Sequence, residues 1–168
     1  MATGRTSRAP DPDRRMDPAA LRSAAIALLA RRDFASGELC ERLTRQGFDA
    51  GAVQAVVSEL ARQGILNDER YAHNYVAYHA GRGQGPVRIA AELRRHGLPA
   101  ALIEAALAAG PDWRALAGQV RRARFGPQLP SSWAQKARQA RFLQYRGFSS
   151  DHIRAAAGSE PDTGLVDP

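Results

Sequence analysis

The sequence predicts an all-α protein built from three tandem three-helix repeats in an elongated array. Three observations carry this expectation. First, one pattern recurs at fifty-residue spacing: Leu43, Gly47-Phe48 and Val53; Leu93, Gly97-Leu98 and Ile103; Leu143, Gly147-Phe148 and Ile153. Internal repetition of this kind marks stacked supersecondary units. Second, Ala, Arg and Leu are abundant, and no stretch alternates apolar and polar residues for long, as a half-buried strand would. Third, 44 % of the 168 residues are hydrophobic but only 7 % are aromatic. The core must therefore be Ala, Leu, Val and Ile, which suit helix and close helix packing.

Each repeated junction reads as helix, tight turn, helix. Glycine after a Leu-containing helical stretch ends a helix because it takes the left-handed conformation cheaply. Gly47, Gly97 and Gly147 are therefore expected at positive φ. The residues Asp49, Pro99 and Ser149 suit the start of the next helix. The apolar residue in between can staple the two helices together. One further helix precedes each pair. Asp17-Pro18 opens the first, with Leu21, Ala25, Leu28 and Leu29 on one face. Asn67-Asp68 opens the second, with Tyr71, Tyr75, Val76 and Tyr78. Pro111-Asp112 opens the third, with Trp113, Leu116, Ala117 and Val120 at i, i+3, i+4 and i+7. The expected organisation is repeat 1 over 17–64, repeat 2 over 65–110 and repeat 3 over 111–158. Residues 1–16 and 159–168, rich in Pro, Gly, Asp and Ser, are expected to be disordered tails. Met16 is an alternative start.

The net charge is +7, and its distribution says more than its size. Residues 1–81 carry net +1, residues 82–146 carry 12 basic and 3 acidic side chains, and residues 147–168 carry net −3. A concentrated basic surface attracts nucleic acid or an acidic protein groove. The candidate binding residues are Arg82, Arg88, Arg94, Arg95, Arg121, Arg122, Arg124, Lys136, Arg138, Arg141 and Arg146. Arg31, Arg32 and Arg62, in the near-neutral first repeat, are expected to contribute less. Lys136 is the only lysine among 24 basic residues. GC-rich coding accounts for that ratio, but not for the scarcity of acids between 82 and 146.

Several motifs read more simply as structure than as function. The junctions resemble helix-turn-helix units, but their second helices are apolar, as in Val53-Gln54-Ala55-Val56-Val57, whereas a base-reading helix exposes Arg, Asn or Gln. Gly81-Arg82-Gly83-Gln84-Gly85-Pro86 lacks a Gly-Lys-Ser/Thr ending and a preceding strand, so it reads as a connector leading to Pro86 at a first helical position. An anion held there by free N–H groups, Arg82 and Arg88 is the alternative. His73, His79, His96 and His152 lack metal-ligand spacing. Glu38 and Glu41 read as an ion-paired face with Arg42 and Arg45. Cys40 reads as packed, and a single cysteine fits a reducing, cytoplasmic setting. Trp113, Trp133, Tyr71 and Tyr75 are expected in the core. No catalytic, cofactor-binding or metal constellation is visible, and no apolar run reaches the ~18 residues of a membrane span.

Two stretches resemble a known family. Ile65-Leu66-Asn67-Asp68-Glu69-Arg70-Tyr71-Ala72 with Tyr75-Val76, and Gly83-Gln84-Gly85-Pro86-Val87-Arg88-Ile89 with Glu92-Leu93 and Gly97-Leu98, are similar to motifs of the RecX family. Ala140-Arg141-Phe142-Leu143 and Arg146-Gly147-Phe148 also match. The resemblance spans about residues 20–157 by these motifs. It departs at Tyr78-His79, where family members often carry Ser-Arg or a similar basic pair. The resemblance implies a curved array of three-helix repeats that binds the RecA nucleoprotein filament within its groove. It implies a non-enzymatic regulator that restrains RecA's ATPase, strand-exchange and co-protease activities. No cofactor is implied. The expected partners are the filament and, through the basic region 82–146, single- or double-stranded DNA, and the chain is expected to be a monomer. The alternative is a stand-alone DNA-binding regulator.

Overall fold

The computed structural model describes residues 17–158. The expected disordered tails and the alternative start at Met16 lie outside the described residues. Among the described residues there are nine helices and no strand. They are α1 (Pro18–Leu29), α2 (Ser36–Arg45), α3 (Ala50–Arg62), α4 (Asp68–Gly81), α5 (Pro86–Arg95), α6 (Ala100–Ala108), α7 (Trp113–Phe125), α8 (Trp133–Arg146) and α9 (Ser150–Ala157). Two compact units result. One runs to Tyr71 and takes in His96–Leu98; the other comprises Ala72–Arg95 and continues from Pro99.

Helix starts follow from local chemistry. The carboxylates of Asp17, Asp49 and Asp112 accept hydrogen bonds from first-turn N–H groups of α1, α3 and α7, satisfying donors that have no intrahelical partner. Ser149 caps α9 reciprocally: its Oγ accepts from His152 N, and His152 Nδ1 accepts from Ser149 N at 3.3 Å. The turn glycines behave as the pattern predicts. Gly47, Gly97 and Gly147 have φ of 95°, 82° and 89°. Phe148 N–H bonds back to Leu143 O at 3.1 Å and Gly147 N–H to Gln144 O at 2.9 Å, which closes α8 in a Schellman turn.

The first core gathers Leu21 and Ala25 of α1, Leu39 and Leu43 of α2, and Val53, Val57 and Leu60 of α3. Each fully buried Leu contributes about 1.5–3 kcal/mol relative to exposure. A second core joins Ala117, Leu143, Phe148 and Ala156 across α7, α8 and α9. The helices that follow the turn glycines thus lie inward, as their apolar sequences imply.

Two aromatic placements differ from expectation. Tyr78 is 56 % exposed. The buried stripe of α4 is Ala72, Val76 and Ala80, and Tyr78 stands two residues from the last two, on the opposite side of a 3.6-residue helix. Trp133 is 79 % exposed. It is the first residue of α8, whose inward stripe is Gln139 and Leu143. Trp113, by contrast, is half-buried and donates from Nε1 to Leu107 O at 3.1 Å.

The N-termini of α2 and α5 are closed by residues from the next repeat. Ser36 N–H of α2 donates to Asp68 Oδ1 at 2.7 Å. Gly85 N–H donates to Arg146 O at 2.8 Å, and Val87 N–H to Gly147 O at 3.0 Å. The backbones meet so closely that a Cβ on Gly85 would lie 2.3 Å from Gly147 O. A Cβ on Gly37 would lie 2.7 Å from His96 O. Only hydrogen fits at either place.

Candidate functional site

The end of α4, the 82–85 connector, α7 and α8 bring arginines and aromatic rings together on one surface. The Arg82 guanidinium lies 4.6 Å from the Tyr78 ring centroid. Arg146 donates from Nη1 to Arg82 O at 3.2 Å and lies 5.4 Å from the Phe142 ring. Phe142 meets Phe125 edge to face at 5.3 Å, and Arg138 lies 5.8 Å from Phe125. The ridge extends along α4 through His79, which is edge-on to Tyr78 at 5.1 Å and stacked on Tyr75 at 4.1 Å. Cations held over ring faces are partly pre-ordered, while their outer faces remain available to phosphate, base or carboxylate.

The other candidate cations divide into engaged and free. Glu92, with its side chain 13 % exposed, accepts from Arg88 Nε at 3.0 Å and from Tyr75 Oη at 2.9 Å, and Arg95 approaches it to 3.9 Å. Burial pushes the Glu92 carboxyl up, but the hydrogen bonds from Tyr75 and Arg88 and the positive charge nearby outweigh it, so it titrates below its ordinary range. That carboxylate in turn raises Arg88, through the hydrogen bond first. Arg94, Arg122, Arg124 and Arg141 are exposed and make no ion pair among the described residues. Lys136 is half-buried on α8.

Arg121 is a correction. It is 2 % exposed. Its guanidinium donates to Gln128 O at 2.8 Å, Pro127 O at 3.2 Å and Gln139 Oε1 at 3.4 Å, leaving only Nε without a partner. The planar fork of donors suits it to clamp carbonyls, and here it holds the α7–α8 connector rather than facing a ligand. The signal was present in the sequence: Arg121 lies four residues beyond Ala117, on the same inward stripe. The anion reading of the 81–86 connector is also closed. Pro86 does begin α5, but Val87 N–H bonds Gly147 O, and Gly147 covers the backbone of Arg88.

Against known proteins, the chain matches the first three-helix domain of RecX over residues 22–60, the second over 67–107 and the third over 112–156. The chain belongs to the RecX family. It is 46 % identical over 141 residues to the regulatory protein RecX of Halorhodospira halophila, covering 83 % of this chain and 88 % of that protein. It is 39 % identical over 137 residues to the regulatory protein RecX of Pseudomonas savastanoi pv. phaseolicola, covering 81 % and 88 %. The crystal structure of RecX from Lactobacillus salivarius shares the fold with a TM-score of 0.73 at 20 % identity, over 83 % of this chain and 94 % of that one. RecX is thus a family of regulatory proteins. Among the described residues no helix is long and apolar enough to cross a membrane.

Sequence reasoning within the RecX pattern missed the aromatic half of the ridge. Tyr78 with Arg82 and Phe142 with Arg146 are pairs four residues apart that helical spacing could have shown, whereas Phe125 gave no signal, because its contacts with Phe142 and Arg138 join α7 to α8. It also averaged away a cleft of about 560 Å³ in the first unit, where Arg31, Arg32, Arg42 and Arg45 gather with Phe34 and His96. Two of these cations are neutralised. Arg32 lies 3.7 Å from the Phe34 ring and is paired with Glu38, and Arg45 is paired with Glu41. Cys40 is half-buried, and burial pushes its thiol up, so it is a poor nucleophile.

Proposed function

We propose that this chain binds the RecA nucleoprotein filament on single-stranded DNA and restrains RecA's ATPase, strand-exchange and co-protease activities, without catalysis of its own. The observation that carries the reading is the ridge of Arg82, Arg146 and Arg138 set between Tyr78, Phe142 and Phe125, within a chain of the RecX family. Such a ridge fits a phosphate backbone with unstacked bases, or acidic protein surface beside it. A base-reading regulator fits less well, because the helices after the turn glycines supply core residues such as Ile103 and Ala156.

The test is RecA's ATPase on single-stranded DNA with and without this protein. Inhibition is expected at amounts well below one per RecA protomer. The charge reversals R122E/R124E and R138E/R141E should weaken inhibition and flatten its salt dependence, by about 0.7 in log–log slope for each phosphate no longer neutralised. R45E/R62E removes two exposed cations already paired with Glu41 and Glu59, and should do less. Circular dichroism verifies that each variant is folded. An unchanged ATPase with the wild-type protein overturns the reading.

A further inference from the structure

We infer that the groove between α8 and α9 is a docking site for an amphipathic helix of a partner protein, apolar along one face and carrying carboxylates on its flanks. This rests on the function proposed above and says which face of the chain meets protein rather than DNA. The groove encloses about 700 Å³ and is floored by Ala137, Ala140, Phe148, Ile153 and Ala157, with Trp133 standing at its mouth. Leu129, in the connector just before α8, is 62 % exposed. An indole and a leucine held in water stabilise nothing within the fold. Both gain on burial, and Trp is the residue type that most often anchors an interface.

The dimensions and the charge choose the occupant. From Trp133 to Gln144 the groove follows α8 for about 16 Å, three helical turns. The alanines on its floor let another helix approach closely. Among its lining residues the charged side chains are Lys136 and Arg154, of which Arg154 is already paired with Asp151. Helix α8 itself carries Lys136, Arg138, Arg141 and Arg146 and no carboxylate. Flanking carboxylates on the partner match that field. Nucleic acid suits the groove less well, because Ala137, Ala140, Phe148, Ile153 and Ala157 present no donors, although Lys136, Gln144, Ser149, Ser150 and Arg154 also line it. DNA fits the arginine–aromatic ridge instead. Arg138 and Ala140, two residues apart, lie on nearly opposite sides of α8, so one helix presents both surfaces.

The experiment compares binding to RecA filaments on single-stranded DNA with binding to the naked DNA, for wild type, Trp133→Ala, Ala140→Phe and Lys136→Glu. Trp133→Ala removes the anchor, and Ala140→Phe fills the floor. Each should weaken filament binding about tenfold or more and leave naked-DNA binding within about twofold of wild type. Lys136→Glu should also weaken filament binding, and an unaffected Lys136→Glu overturns the acidic flank. Filament binding unchanged in both groove variants overturns the groove and leaves the proposed function standing. Equal losses on naked DNA also overturn it, by making the groove a nucleic-acid surface. A wild-type dimer in sedimentation that Trp133→Ala dissolves makes the occupant a second copy and overturns the proposal. A wild-type protein that ignores the filament overturns the function and the groove with it.

Discussion

The N-termini of α5 and α8 solve the same problem in opposite ways. Both helices precede a turn glycine, fifty residues apart, and both begin with N–H groups that have no partner within the helix. In α5 the partners are main-chain carbonyls of the next repeat, Arg146 O and Gly147 O. The N-terminus of α2 is likewise met by Asp68. In α8 the partners are local: Gln135 N–H donates to Ser132 Oγ at 3.3 Å, and Gln135 Oε1 accepts from Ser131 N–H at 3.0 Å. The first two repeats therefore depend on a successor and the third does not. The same difference leaves Trp133 in solvent, whereas Gly85, at the corresponding end of α5, is buried under backbone.

That contrast can be broken from either side. The largest effect is expected at Gly85. Gly85→Ala places a methyl 2.3 Å from Gly147 O, where main chain must move, and should cost about 3 kcal/mol in urea unfolding. Gly64→Ala is the control. Gly64 has φ of 69° with open space around it, so only backbone strain is added, about 1 kcal/mol. Equal midpoints for the two variants would show that the α5 joint contributes nothing. Asp68→Ala should follow, at about 1–2 kcal/mol, because it strips Ser36 N–H of its acceptor. Ser132→Ala should cost about 1 kcal/mol and leave Gly85-linked protection from hydrogen exchange untouched. If that protection collapses with Ser132→Ala, the third repeat is not self-contained.

The smallest effect sharpens the comparison through pH. His152 closes the α9 cap with an unprotonated Nδ1. Burial pushes its pKa below the ordinary 6.5, with Arg114 adding to the shift. A depressed folded pKa means the contribution is complete above 6.5 and is lost as pH falls through the folded value. Thermal midpoints should therefore decline below that pH. His152→Gln keeps an acceptor at the same helix position and should remove that part of the decline. An identical pH profile in the variant would separate the cap from the titration.

What was legible in the sequence was whatever one helix and its turn decide. Asp17, Asp49, Asp112 and Ser149 declared the helix starts, and Gly47, Gly97 and Gly147 the stops, because capping is chemistry between residues a few positions apart. The apolar helices after each turn declared the core. What was not legible depends on which helix comes to lie beside which. The inward position of Arg121, four residues beyond Ala117, was legible, but the carbonyls that hold it come from a connector whose path no periodicity describes. Trp133 read as core because large aromatics usually are, and it is exposed because no described helix covers the start of α8. In the ridge, helical spacing reaches the pairs Tyr78–Arg82 and Phe142–Arg146, but not Phe125, which meets Arg138 and Phe142 across two helices.

The joint at Gly85 has a consequence for synthesis. Its carbonyl partners lie about sixty residues further along the chain, which at ribosomal speeds of about 5–20 residues per second means a wait of about 3–12 s. Until then α5 carries bare N–H groups at its start, and the second repeat stays incomplete however well its own helices form. The nascent chain thus passes through an interval in which an apolar face and an unfilled helix end are both on offer. A chaperone that engages this protein on the ribosome should do so in that window and be released as Gly147 arrives.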